Sequence, residues 1–110
     1  MGTQGARATS ASAISAERLQ VGLTRLGDIS TRKMFGGYGV FEAGTMFALV
    51  DSQGGVFFKV DDTNVERYEE AGSTKHGRMP YYRVPDAVLD DEPALQEWAQ
   101  SSIMVSRNAR

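Results

Sequence analysis

At 110 residues, with 41% hydrophobic and 24% charged side chains, the chain has room for one domain with a modest core and is too apolar for wholesale disorder. It has no cysteine, which excludes disulfides, a thiol nucleophile and thiolate metal sites and fits a cytoplasmic location. The net charge is −2 and no apolar run approaches the ~20 residues that span a bilayer, so neither membrane insertion nor binding driven by a basic excess is expected.

Residues 1–14 are small and polar and are expected to form a flexible leader, with a single domain over residues 15–108. The first helix should begin at Ser15 as N-cap, with Ile14 stapled onto Leu19. Leu19, Leu23 and Leu26 then make one stripe, and Gly27 suits the left-handed position after the helix. Strands follow at about 30–35, 38–43, 45–51 and 56–60, separated by glycine-containing loops of hairpin length. Gly36, Gly37 and Gly39 are read as structural turn or bulge positions. A second helix from N-cap Asp62 to Gly72 buries Val65 and Tyr68. Met79 to Val84 reads as a fifth strand, and a last helix starts near Asp91 with Pro93 in its first turn. Leu95, Trp98, Ala99, Ser102 and Ile103 keep its helical spacing, with Trp98 as the largest core anchor. The resulting fold class is α+β, in the order α-β-β-β-β-α-β-α. It is a two-layer domain, an antiparallel sheet of about five strands with flanking helices.

No catalytic constellation emerges from the residue types. Gly36-Gly37-Tyr38-Gly39 lacks the third glycine of a dinucleotide loop, since Glu42 stands there. His76 is the single histidine, in a polar loop with no acid at metal-ligand spacing. Asp61-Asp62 reads as helix capping. The acids Asp86, Asp90, Asp91, Glu92 and Glu97 read as a solvated helix start. No enzyme activity, cofactor or metal is therefore expected.

Strand parity carries more information. If Val56, Phe58 and Val60 face the helices, Phe57 and Lys59 face away, and Tyr81 and Arg83 follow by the same rule. Arg32 and Lys33 lie on the first strand, one on each face. An open sheet face showing aromatic and cationic groups together suggests partner binding, with Arg32, Lys33, Lys59, Tyr81 and Arg83 as contact residues. The bland alternative is that a second copy, as a homodimer, or the chain's own loops cover that face.

The segments RKMFGGYGVF, GTMFALV, VFFKVDD, MPYYRVPD and DEPALQEWAQ, in this order and spacing, resemble the N-terminal domain of the TfoX/Sxy competence-regulator family, over about residues 15–106. The resemblance implies a two-layer α+β domain and a stand-alone short member, since the helical second domain of long members has no counterpart here. It implies an accessory role in transcriptional activation of DNA-uptake genes, with a protein partner of the cyclic-AMP receptor protein type, and it transfers no catalytic or ligand residue. The segment Ser73 to Arg78 departs from the family in lacking aromatic residues. Two other readings stand beside a protein-interaction module. One is a single-stranded nucleic-acid binder stacking bases on Phe57 and Tyr81, against which the acidic balance argues. The other is a small-ligand pocket beneath the glycine-rich hairpins.

Overall fold

The computed structural model describes residues 3–34 and 36–109. Five strands, β1 (Ile29–Met34), β2 (Gly37–Glu42), β3 (Thr45–Val50), β4 (Val56–Lys59) and β5 (Tyr81–Arg83), form one sheet in sequence order, every neighbouring pair antiparallel. Helices α1 (Thr3–Gly22) and α4 (Glu92–Asn108) pack on one face, joined by the shorter α2 (Val65–Glu70) and α3 (Asp86–Leu89). The order expected from the sequence holds, with α3 as an unforeseen single turn after Pro85.

The first helix is where the reading of the leader needs correction. It starts at Thr3 rather than Ser15, leaving only Met1 and Gly2 of the expected leader outside the described residues. Ser15 is no cap. Its hydroxyl donates to the Gly54 carbonyl at 2.7 Å, tying the helix to the β3–β4 loop. Gly54 approaches so closely that a Cβ there would lie 3.0 Å from the Ala11 carbonyl oxygen. The small side chains of Ala11 and Ser15 thus suit the close crossing of this loop. Ser12 is fully buried, whereas Ile14 is 62% exposed and staples nothing.

Each hairpin has a local cause. Ala43 and Gly44 connect β2 and β3 with φ of 50° and 86°, the positive pair of a two-residue turn matched to strand twist. Asp51 Oδ1 accepts from the backbone N–H groups of Gln53 and Gly55 at 3.0 and 2.7 Å, which closes the next loop. A register shift at Val40/Phe41 bends β2 against β3. Gly36, φ +77°, turns the chain into β2, while Gly37 and Gly39 lie within that strand. Residue 35, expected at the end of the first strand, lies outside the described residues.

Between sheet and helices, Val40, Phe47, Phe58 and Val84 meet Leu19, Leu23, Ala99 and Ile103, all essentially without solvent exposure. Burial of each large apolar side chain contributes roughly 1.5–3 kcal/mol. Trp98 is only half-buried; the fully buried Tyr68 takes the central place, its ring edge-on to Trp98 at 4.7 Å and 6.0 Å from Tyr82. Asp91 caps α4, accepting from the Ala94 N–H at 3.3 Å. For α2 the expected cap Asp62 is replaced. Asn64 stands at the N-cap, buried, and its amide bonds Lys59, Asp61 and Ser101 instead of the helix's own N–H groups.

Candidate functional site

The face turned away from the helices is organised by one transverse row. Arg32 pairs with Gly39, Gly39 with Leu49, Leu49 with Phe57 and Phe57 with Arg83, so the row crosses all five strands and ends in an arginine at each edge. Four inter-strand spacings separate those arginines, about 19 Å along the sheet. Each guanidinium lies over an aromatic ring, Arg32 at 5.0 Å from the Phe41 centroid and Arg83 at 5.9 Å from that of Phe57. Gly39 leaves a notch in the row. A Cβ there would stand 2.9 Å from the Met34 sulfur and 3.1 Å from the Phe41 ring, so both side chains lie over its backbone.

Lys59 pairs with Tyr81 in the adjoining row and shares this face. Lys33 does not. It pairs with Tyr38, which packs on the helix side, so Lys33 stands on the opposite face from Arg32. Of the five expected contact residues, the register brings Arg32, Lys59, Tyr81 and Arg83 onto one surface and leaves Lys33 off it.

The aromatic part of the expectation needs revision. Phe57 and Tyr81 are 6% and 5% exposed, forming with Leu49 and the half-buried Met46 a small second core on the outer face. The chain's own loop between α2 and β5 runs along the outer edge of β5 and adds to the cover through His76. The Arg83 N–H donates to the Thr74 carbonyl and the His76 N–H to the Tyr81 carbonyl, both at 2.8 Å, and Lys75 bridges to Tyr82. The His76 ring stands edge-on to Phe57 at 4.7 Å, so this histidine is a packing residue and only half-exposed. Burial also pushes the Tyr81 phenol above its ordinary pKa. What remains accessible is Arg32 and Arg83, with Lys59, Met34, Phe41, Met46 and His76 partly so. Phe41, Met34 and Met46 were missed in the sequence. Parity from Arg32 and Gly39 would have placed Met34 and Phe41, whereas Met46 reaches this face only through the register shift at Val40/Phe41, which parity from Leu49 cannot foresee.

A surface of this kind, cations spread over about 19 Å of sheet with flexible methionines between, suits a macromolecular contact better than chemistry at one atom. Gly37 closes against the Val50 carbonyl, where a Cβ would collide, so the glycine-rich hairpin is packed at that point and not hollow. Among the described residues, no group of three or more His, Cys, Asp or Glu is placed to hold a metal ion, and no helix is long and apolar enough to cross a membrane.

Fold and face together define a two-layer α+β domain with a five-stranded meander, covered by helices on one side and left partly open on the other. Residues 22–106 match the family model of the TfoX N-terminal domain, and the chain belongs to that family. A comparison with curated proteins finds no match.

Proposed function

We propose that the protein is a non-enzymatic, cytoplasmic protein-interaction module acting as an accessory factor in transcriptional regulation. Family membership suggests a regulatory role of the competence type. The observation that carries the docking part of the reading is the transverse row, which sets Arg32 and Arg83 at the two edges of a sheet face whose middle is apolar. Cations at the rim steer an acidic partner surface, and Phe41, Met34 and Met46 supply area to bury once it has arrived. A regulator of the cyclic-AMP receptor protein type is the partner that the family resemblance suggests.

The test is a pull-down of such a purified regulator with the wild-type chain, with Lys59→Glu and with Arg83→Glu. Retention by wild type and loss in both variants supports the reading. Equal recovery in all three removes these residues from the contact, and failure of the wild type removes this partner. Direct binding of single-stranded nucleic acid is the less favoured reading, because Phe57 and Tyr81, the rings that would stack on bases, lie beneath their neighbours.

A further inference from the structure

The helix α1 carries two stripes. Ser12, Ala16 and Leu19 turn inward and are buried, as is Leu23 just past the end of the helix. Ile14 and Val21, seven residues apart and so nearly in line along the helix, remain 62% and 69% exposed. They wall one side of a groove of about 530 Å³, with Leu89 of α3 and Leu95 of α4 on the other. That volume falls within the ~300–1,000 Å³ range of clefts that take ligands. Of the residues lining it, Glu17, Asp90 and Glu92 are acidic and Arg18 alone is basic. Arg18 already meets Asp90 at 3.6 Å, in an ion pair whose side chains are 59% and 75% exposed. Such an exposed pair is weak and easily exchanged. The groove is therefore apolar inside and acidic at its rim, and it lies on the helical side, away from the sheet face described above.

We propose that this groove receives a cationic amphipathic helix from a partner protein. The aliphatic side chains of that helix would lie between Ile14, Val21 and Leu89, and its lysines or arginines would reach Glu17, Asp90 and Glu92. Most of the groove wall comes from α1 and α4, whose interior backbone groups are already engaged. The Gly22 carbonyl, near the end of α1, accepts from Gln96 Nε2 at 3.0 Å, and the carbonyl of Val56 on β4 accepts from the Val84 N–H at 2.8 Å. An extended peptide would find no ladder to join, so the occupant must satisfy its own backbone, as a helix does. The charge also selects the partner, because a second copy of this chain would bring one acidic rim against another. This inference is independent of the sheet-face reading.

Fluorescence anisotropy with a labelled helical peptide of ~18 residues, leucine at i, i+3, i+4 and i+7 and lysine elsewhere, tests it directly. At low salt this peptide should bind with a Kd below about 100 µM, and its counterpart with glutamate for lysine should not bind. Val21→Asp and Glu17→Lys, both at exposed positions, should each weaken binding about tenfold. Glu69→Lys makes the same charge change on α2, outside the groove, and should leave affinity within about twofold. Four results would overturn the proposal. They are no binding, equal binding of the glutamate peptide, equal damage from Glu69→Lys, or a wild-type dimer in sedimentation that Val21→Asp dissolves while no peptide is bound.

Discussion

The Arg107 guanidinium donates to Glu42 Oε1 at 2.9 Å and ties the last turn of α4 to the end of β2. The two partners differ in exposure, 8% for the Glu42 side chain and 47% for that of Arg107. Gly27 packs against the same carboxylate, where a Cβ would stand 2.5 Å from Oε2. Removing the arginine strands a charge in a nearly dry site, while water reaching the vacated side limits the loss.

Arg107→Ala should accordingly cost about 1–3 kcal/mol of stability. Glu42→Gln keeps an acceptor and strands no charge, so its cost should stay near or below about 1 kcal/mol. Urea unfolding of both variants measures the difference. Equal losses would mean that packing, and not the charge, governs this corner.

Ala43 is, among the described residues, the one non-glycine with positive φ, at 50°. An L-alanine held there gives up roughly 1 kcal/mol relative to a residue suited to the left-handed region. Ala43→Asn creates the Asn-Gly pair preferred in such a turn and should raise stability by about 0.5–1 kcal/mol, or a few degrees in Tm. A thermal melt decides it, and a lowered Tm would count against the turn geometry.

Burial pushes the Tyr68 phenol up to about 12, with the charge of Arg67 pulling the other way. The Ser102 hydroxyl gives its hydrogen to the Lys59 carbonyl at 2.8 Å, and the Tyr68 hydroxyl is left buried without a hydrogen bond. In the unfolded chain the phenol titrates near 10. Below that value both states hold the proton and stability does not depend on it. Between about pH 10 and 12 the unfolded state releases the proton while the folded state retains it, so stability falls by roughly 2–3 kcal/mol across that window. Tyr68→Phe should flatten this decline, and at neutral pH it should be neutral or stabilising by up to about 1 kcal/mol, since an unpaired buried hydroxyl is removed. Denaturant titrations from pH 9 to 12 test both effects, with Tyr81→Phe as the comparison. An unchanged alkaline slope in Tyr68→Phe would show that this phenol is not the group responsible.

Local chemistry made the sheet legible. Glycine-bearing loops marked the hairpins, the period of two placed Phe57, Lys59, Tyr81 and Arg83 on one face, and Asp91-Glu92-Pro93 announced α4. Long-range coverage left a weaker trace. Parity says which way Tyr81 points, but not that residues 74–76 return along the edge of β5 and set the His76 ring against Phe57, because that depends on backbone bonds such as Arg83 to Thr74. The early start of α1 was hidden for a related reason. Its small residues resemble linker composition, and the long-range contact behind them, Gly54 passing close to Ala11, leaves no local trace. Lys33 shows a third limit, since parity sets Arg32 and Lys33 on opposite faces but does not say which of them turns away from the helices; the pairing of Lys33 with Tyr38 decides it.

Asn64 joins three elements through one amide. Its Oδ1 accepts from the Asp61 N–H at 2.9 Å, and its Nδ2 donates to the Lys59 carbonyl at 3.3 Å and to Ser101 Oγ at 3.2 Å. The residue is 4% exposed, so water has little access to replace these bonds. Asn64→Ala should cost about 1–3 kcal/mol, because the Asp61 N–H loses its partner where β4 passes into α2. Asn64→Asp keeps that acceptor but loses both donors and sets a charge against the Lys59 carbonyl, so it should cost at least as much near neutral pH. Acidification should then recover part of the loss, since the introduced carboxyl, once protonated, again carries one donor. Urea unfolding of both variants at pH 7 and pH 4 separates these effects. An Asn64→Asp variant as stable as wild type at pH 7 would show that the two donated bonds contribute nothing to holding β4, α2 and α4 together.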